Sequence, residues 1–259
     1  MQIPIYQVDA FTGKLFAGNP AAVCPLDSWL DDALMQNIAA ENNLAETAFF
    51  VRKDDHFEIR WFTPAAEINL CGHATLASGH VLFDHLGYDS ETIRFISKSG
   101  ELLVTKTDNL LTLNFPSVKP APITMPPGLT EALGDKPSEI LKGRDIFAVY
   151  KHADEILALR PNFEQLARLD FHGFIVTAPG NDCDFVSRFF APGIGINEDP
   201  VTGSAHTSLI PFWAERLGKK KMFARQLSYR GGELICEYLG ERVLISGKAV
   251  TFFKGEIEI

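Results

Sequence analysis

Glu46, His73, Asp199, Cys71 and Asn19 are side chains whose type and context could carry chemistry. Glu46 stands in Leu-Ala-Glu-Thr-Ala-Phe-Phe. A carboxylate among so many apolar neighbours is poorly solvated in its charged form. That suits a group that takes a proton and returns it near neutral pH. A plainer reading competes, in which Glu46 is a surface residue at a helix–strand turn. His73 directly follows Gly72 at the start of an apolar helical run. There it donates to an anion, acts as an acid, or is simply structural. Asp199, in Asn-Glu-Asp-Pro, precedes a second such run, where capping is the commoner role of an Asp. Asn19, in Gly-Asn-Pro, shapes a turn or touches the ligand. Cys71 precedes Gly72, where a helix N-terminus lowers a thiol pKa. His80 lies seven residues after His73 on the same helix face, but neither carboxylate nor Cys completes a ligand set with the pair. No metal and no cofactor is expected.

These residues sit in a stretch that occurs twice. Arg60, Phe62, Pro64, Ile68 and Asn69 recur 128 positions later as Arg188, Phe190, Pro192, Ile196 and Asn197. After a three-residue insertion, Gly72 and Ala74 recur as Gly203 and Ala205. Gly100, Glu101 and Leu102 recur as Gly232, Glu233 and Leu234. This is an internal duplication. In each copy an alternating strand ends at a Pro, and a loop leads through a Gly into an apolar helix. Backbone N–H groups at Gly72–His73 and at Gly203–Ser204 are then free to bind an anion, which the helix dipole favours. Two such starts in a pseudo-symmetric protein are expected to face one ligand. Glu46 has Phe174 as its repeat partner, and Cys71 has Thr202, so the chemistry is not symmetric.

Around these motifs the pattern predicts a strand over 3–11. A helix follows, capped by Asp27 or Ser28 and running to about Asn42, with Leu30, Leu34, Ile38 and Ala39 inward. Strands are expected at 47–51 and 57–62, a helix at 72–86 capped by Gly87, and strands near 92–97, 101–107 and 110–115. Five prolines between Pro116 and Pro127 mark a crossing between domains. The second half predicts strands near 146–150, 155–159, 173–178 and 184–190. It also predicts a short helix near 163–168 and a long one over 203–217 ending at Gly218. The domains are thus 1–116 and 117–247, with a final strand over 248–259 that lacks a repeat partner and is expected to return to the first domain. The long helix is apolar around most of its circumference, so strands should wrap it. The fold class is α+β: two pseudo-symmetric domains, each a mostly antiparallel sheet around a central helix.

The bulk properties narrow the function. The 259 residues carry a formal charge of −9 and 46% hydrophobic residues, including 20 Phe. Lys219–Lys221 is the one basic cluster and reads as a solvated helix end. Nucleic-acid and anionic-membrane partners are disfavoured. No 18-residue apolar run predicts a membrane span, and the first residues lack the pattern of a signal peptide. Cys24, Cys71, Cys183 and Cys236 have no CxxC spacing and read as reduced thiols of a cytoplasmic protein.

FAGNPAAV at 16–23, NNLAETAFF at 42–50, RWFTPAAEINLCGHAT at 60–75 and EDPVTGSAH at 198–206 together resemble the PhzF-like family, named for the phenazine-biosynthesis isomerase. That family is similar in fold to diaminopimelate epimerase. The resemblance implies that Glu46 carries a proton between two carbons of a small cyclic amino acid, without cofactor or metal. It implies that His73 and Asp199 are further catalytic positions. Asn19, Gly72, Gly203 and Ser204 then line the substrate, and the protein is a homodimer. The epimerases carry Cys-Gly at both helix starts. Here the pairs are Cys71-Gly72 and Thr202-Gly203. One-base isomerisation of a small carboxylate is therefore expected. Racemisation or epimerisation, and ligand binding without catalysis, are the alternatives.

Overall fold

The computed structural model describes residues 1–259. It divides into two compact units, Met1–Asn114 with Ile245–Ile259, and Phe115–Leu244. In the first unit the elements are β1 (Gln2–Ala10), β2 (Asn19–Leu26), α1 (Asp32–Asn42), β3 (Glu46–Arg52), β4 (Phe57–Phe62), β5 (Glu67–Ile68), α2 (Gly72–Asp84), β6 (Thr92–Ser97), β7 (Gly100–Thr107) and β8 (Leu110–Pro116). In the second they are β9 (Ala121–Pro122), α3 (Leu129–Leu133), β10 (Glu139–Lys142), β11 (Ile146–Val149), α4 (Ala153–Ala158), α5 (Phe163–Ala167), β12 (Phe174–Pro179), β13 (Phe185–Ala191), β14 (Ile196–Asp199), α6 (Gly203–Leu217), β15 (Lys221–Gln226), β16 (Gly232–Tyr238) and β17 (Arg242–Gly247). The last strand, β18 (Ala249–Glu258), pairs antiparallel with β1.

In the first unit, β1 pairs antiparallel with β2, β2 runs parallel to β3, and β3 pairs antiparallel with β4. Helix α2 packs on β1, β2, β3, β7 and β18. Ten of its 13 residues are buried, which is why its sequence is apolar nearly all round. Gly79 lets it approach β7. A Cβ there would lie 2.8 Å from a Val104 methyl.

In the second unit, β11 runs parallel to β12, which pairs antiparallel with β13. Helix α6 contains Pro211, which has no N–H to offer the carbonyl one turn back. That carbonyl, on Thr207, accepts instead from the Val118 N–H at 3.0 Å. A sequence irregularity thus becomes a tether for the proline-rich segment.

The duplication is visible in side-chain chemistry. Arg60 clamps Glu67 through two parallel hydrogen bonds of 2.8 and 2.9 Å and lies 5.2 Å from the Phe62 ring centre. Arg188 clamps Glu198 at 2.7 and 2.9 Å and lies 4.9 Å from the Phe190 ring centre. The two arginines are repeat partners, and each clamps a glutamate of a following short strand, Glu67 of β5 and Glu198 of β14. Arg60 holds the Glu67 carboxyl down to about 2.

Three elements differ from the sequence expectation. Helix α1 begins at Asp32 with Asp31 as its cap, not at Asp27 or Ser28. Trp29 and Leu30 are spent as anchors instead: the Trp29 indole donates to Glu58 at 2.8 Å, and Leu30 packs on the core. Its buried residues are Met35, Ile38 and Ala39, with Leu34 half-buried. Helix α2 ends at Asp84 with His85 as cap. The Nε2 of His85 is drawn 2.7 Å from the Thr251 hydroxyl, and Gly87 makes the left-handed turn two residues later. Residues 155–159 lie in and just after helix α4 and not in a strand. The Glu155 carboxylate accepts from the His152 N–H at 2.7 Å, and this capping box starts a helix that an apolar run alone does not reveal.

Candidate active site

Three chain segments build the site of the first unit. Asn19 opens β2 and Glu46 opens β3, and the two strands run side by side in parallel with Ala21 beside Glu46. The third segment is the start of α2, with Cys71 as N-cap, Gly72 first and His73 second. Gly18 fixes the entry to β2. Its φ is +65°, and a Cβ there would lie 2.2 Å from the Ala10 carbonyl oxygen, so only glycine fits.

The side chains meet in the interior. Glu46 is 7% exposed, His73 4%, Cys71 6% and Asn19 0%. Oε2 of Glu46 lies 3.1 Å from Nε2 of His73. That is ion-pair distance, but the angle is not that of a hydrogen bond, and neither atom has another hydrogen-bond partner. Nδ1 of His73 lies 3.2 Å from the Asn19 amide nitrogen and 3.5 Å from Sγ of Cys71. Burial disfavours the imidazolium, yet the acidic groups of Cys71 and Glu46 outweigh it and hold His73 well above its ordinary range. Burial, with the Glu46 charge, pushes the Cys71 thiol up. This reverses the expectation for a cysteine at a helix start. The helix dipole is worth less than the water that the thiolate would lose.

Sequence spacing pairs His73 with His80, but the fold does not. His80 Nδ1 binds Asp84 at 2.8 Å, its Nε2 lies 2.9 Å from the Thr251 hydroxyl, and burial lowers its pKa. His73 gains Glu46 and Cys71 instead. One donor atom from each of these three residues lies within 4.8 Å of the others. A carboxylate and a thiol therefore do complete a set around His73. A cavity of about 730 Å³ elsewhere in this unit is lined by residues such as Leu26, Arg52, Phe57 and Tyr88, and by none of the three.

The second unit has its own helix start. Thr202 is the N-cap of α6, and Gly203 and Ser204 follow. The Thr202 hydroxyl donates to the Asp199 carboxylate, so Asp199 is tied to the cap residue. Gln226 was not legible in the sequence. It is 1% exposed at the end of β15. Its amide oxygen accepts from the Thr202 N–H at 2.9 Å. Its NH₂ donates to the Asp199 carbonyl at 2.8 Å and to the Thr202 hydroxyl at 3.0 Å. One buried amide thus holds the whole Asp199–Thr202 turn. Thr75 and His206 are repeat partners, and each bonds the carbonyl of its own N-cap residue. Thr75 donates its hydroxyl to Cys71, and His206 Nδ1 lies 2.8 Å from the Thr202 oxygen.

A long, mostly buried helix in each of two duplicated units, ringed by strands in the first, with carboxylate and imidazole at its start, defines an α+β protein of the diaminopimelate epimerase-like fold. A hydroxyproline epimerase from Agrobacterium vitis shares that fold alone, at a TM-score of 0.64 and 9% identity over 99% of this chain and 92% of the other. The chain belongs to the phenazine biosynthesis-like (PhzC–PhzF) family, whose profile it matches over residues 8–255. It is 51% identical to an uncharacterized isomerase of Pseudomonas aeruginosa over 259 residues, 100% of both chains. A PhzF-family phenazine biosynthesis protein from Enterococcus faecalis has a crystal structure that matches at a TM-score of 0.98 and 50% identity, again over 100% of both chains. No helix is long and apolar enough to cross a membrane.

Proposed function

We propose that the protein is an isomerase that moves a proton between two carbons of a small carboxylate, with Glu46 as the carrier. One observation carries this: the Glu46 carboxylate is buried, with Oε2 3.1 Å from His73 Nε2 and without a hydrogen-bond partner. Glu46 removes a proton from an acidified carbon, and the electron pair left behind delocalises toward the substrate's unsaturated group. The imidazolium of His73 stabilises that developing negative charge. The Glu46 carboxyl, open to exchange with solvent, then protonates a second carbon, so carboxylate and substrate finish with the proton count they began with. Backbone N–H groups at Gly72 and His73 favour the substrate carboxylate. Asn19, Gly203 and Ser204 are proposed substrate contacts, and Asp199 a further catalytic group. The reaction needs no cofactor in this reading. Racemisation is the second reading, favoured by Cys71, whose Sγ is a second acid 3.5 Å from His73.

The test starts with a thermal-shift screen of small carboxylates and cyclic amino acids. Deuterium incorporation from solvent into the binding compounds then follows for the wild type, Glu46→Gln and Cys71→Ala. Glu46→Gln should lower exchange by about 10² to 10⁴, the usual contribution of a general base, with binding retained. Cys71→Ala should be far milder. If Glu46→Gln exchanges at the wild-type rate while Cys71→Ala is dead, the thiol does the chemistry. Inversion of a stereocentre selects the racemase reading, and binding without exchange selects a non-catalytic one. A cytoplasmic homodimer is the proposed setting. Leu15, Phe16, Phe252 and Phe253 are exposed, and the rings of Phe16 and Phe252 meet edge-on at 5.7 Å, which supports an apolar association face. Light scattering that returns a monomer mass at micromolar concentration would remove the dimer.

A further inference from the structure

We infer that Glu46, His73 and Cys71 also form a binding site for one divalent cation of the zinc type, whose entry blocks the site. The donor set is a carboxylate oxygen, an imidazole nitrogen and a sulfur. Mixed N, O and S donors suit a borderline-soft ion such as Zn²⁺, and do not suit Mg²⁺ or Ca²⁺. Three protein donors with an open fourth position is the arrangement of an accessible zinc site and not of a closed structural one.

The geometry is near what the ion requires. Bonds of about 2.0–2.3 Å in a tetrahedron separate neighbouring donors by about 3.4–3.6 Å. The Glu46 and His73 donors are 3.1 Å apart, and all three donors lie within 4.8 Å of one another. Sγ of Cys71 lies 3.5 Å from Nδ1 whereas Oε2 of Glu46 lies 3.1 Å from Nε2, so joint ligation of one ion requires the imidazole or the Cys71 side chain to turn. Two of the three donors lack a hydrogen-bond partner while more than nine-tenths buried. A ligated histidine donates its other N–H to a second polar group. With the ion on Nε2, Nδ1 faces the Asn19 amide, 3.2 Å away, and the amide's oxygen serves once the group is turned over.

The three groups ligate as carboxylate, thiolate and neutral imidazole, and the protons displaced from them pass to solvent. Their two negative charges match the dication, so burying the ion adds no uncompensated charge to the interior. Nothing is oxidised or reduced.

Occupancy as a block rests on the proposed role of Glu46, but binding itself does not. The probe is Co²⁺, then Zn²⁺, titrated into the full-length protein. One equivalent of Co²⁺ should give a thiolate-to-cobalt charge-transfer band at about micromolar affinity, which Zn²⁺ abolishes by displacement. Cys71→Ser should lose the band, and both Cys71→Ser and His73→Asn should weaken binding by at least about 100-fold. Their melting curves report whether they still fold, and Cys71→Ala serves as a second variant. Calorimetry in two buffers of different ionisation enthalpy should show proton release on binding. Absence of a one-to-one complex, or a band that survives Cys71→Ser, overturns the inference. Deuterium exchange separates the two readings. Binding that leaves exchange intact counts against Glu46 as the base, whereas exchange blocked by Zn²⁺ with no thiolate band counts against this site.

Discussion

Acid should loosen the second unit through one buried histidine. His206 is fully buried, and its Nδ1–H donates to the Thr202 carbonyl. Its Nε2 has no hydrogen-bond partner, and its ring centre lies 6.0 Å from that of Phe185. Burial lowers its pKa from 6.5 to about 4 in spite of the Thr202 bond. The unfolded chain therefore takes up this proton near pH 6.5, while the folded protein resists it until about pH 4. Between those values the unfolded state binds more protons, so stability falls as pH falls. A shift of about 2.5 pH units at about 1.36 kcal/mol each gives about 3 kcal/mol lost across the window. The informative variant is His206→Thr, because Thr75 occupies the equivalent place in the first unit and makes the same bond to its cap carbonyl. The variant should be less stable at pH 7 by about 1–3 kcal/mol, for the lost imidazole packing. It should lose about 3 kcal/mol less than the wild type between pH 6.5 and 4. Urea unfolding at several pH values measures both numbers, and the difference between the proteins cancels the carboxylates that titrate in each. Parallel pH profiles for the two proteins would refute the argument.

Other perturbations test other parts of the structure. Gln226→Leu keeps the size of a buried side chain but strands the Thr202 N–H, so stability should fall by about 1–3 kcal/mol in urea unfolding. An unchanged midpoint would mean that the Asp199–Thr202 turn stands without its bracket. Gly79→Val drives a methyl-bearing side chain into Val104 and should cost about 1–3 kcal/mol, read as a lower melting temperature. A neutral result would show that α2 can move away from β7.

Much of the fold was legible in the sequence because its signals are local. Strand alternation at 57–62, the apolar helices after Gly72 and Gly203, and the repeated Arg-x-Phe-x-Pro stretch are each read within a window of a few residues. The duplication then extended one unit's reading to the other. Where local signals were ambiguous, tertiary contacts decided. The run over 155–159 is apolar enough for either element, and the His152–Glu155 capping box made it a helix. The start of α1 moved because Trp29 found Glu58 across 29 positions.

The site divides in the same way. Sequence context alone drew attention to Glu46, His73 and the two glycine-led helix starts, since apolar surroundings and helix beginnings are written in neighbouring residues, whereas Asp199 gained its proposed catalytic role only from the family resemblance. It did not determine that Glu46 lies against His73, because 27 positions separate them and only the packing of α2 on β3 closes the gap. Nor did it expose Gln226, an ordinary polar residue of an alternating strand until the fold buries it under the Thr202 turn. Cys71 shows the limit most directly. Its place in the sequence promised an acidic thiol, and burial beside a carboxylate made it a weak acid instead. Desolvation depends on what the whole chain brings around a group, and that is a property of the tertiary structure.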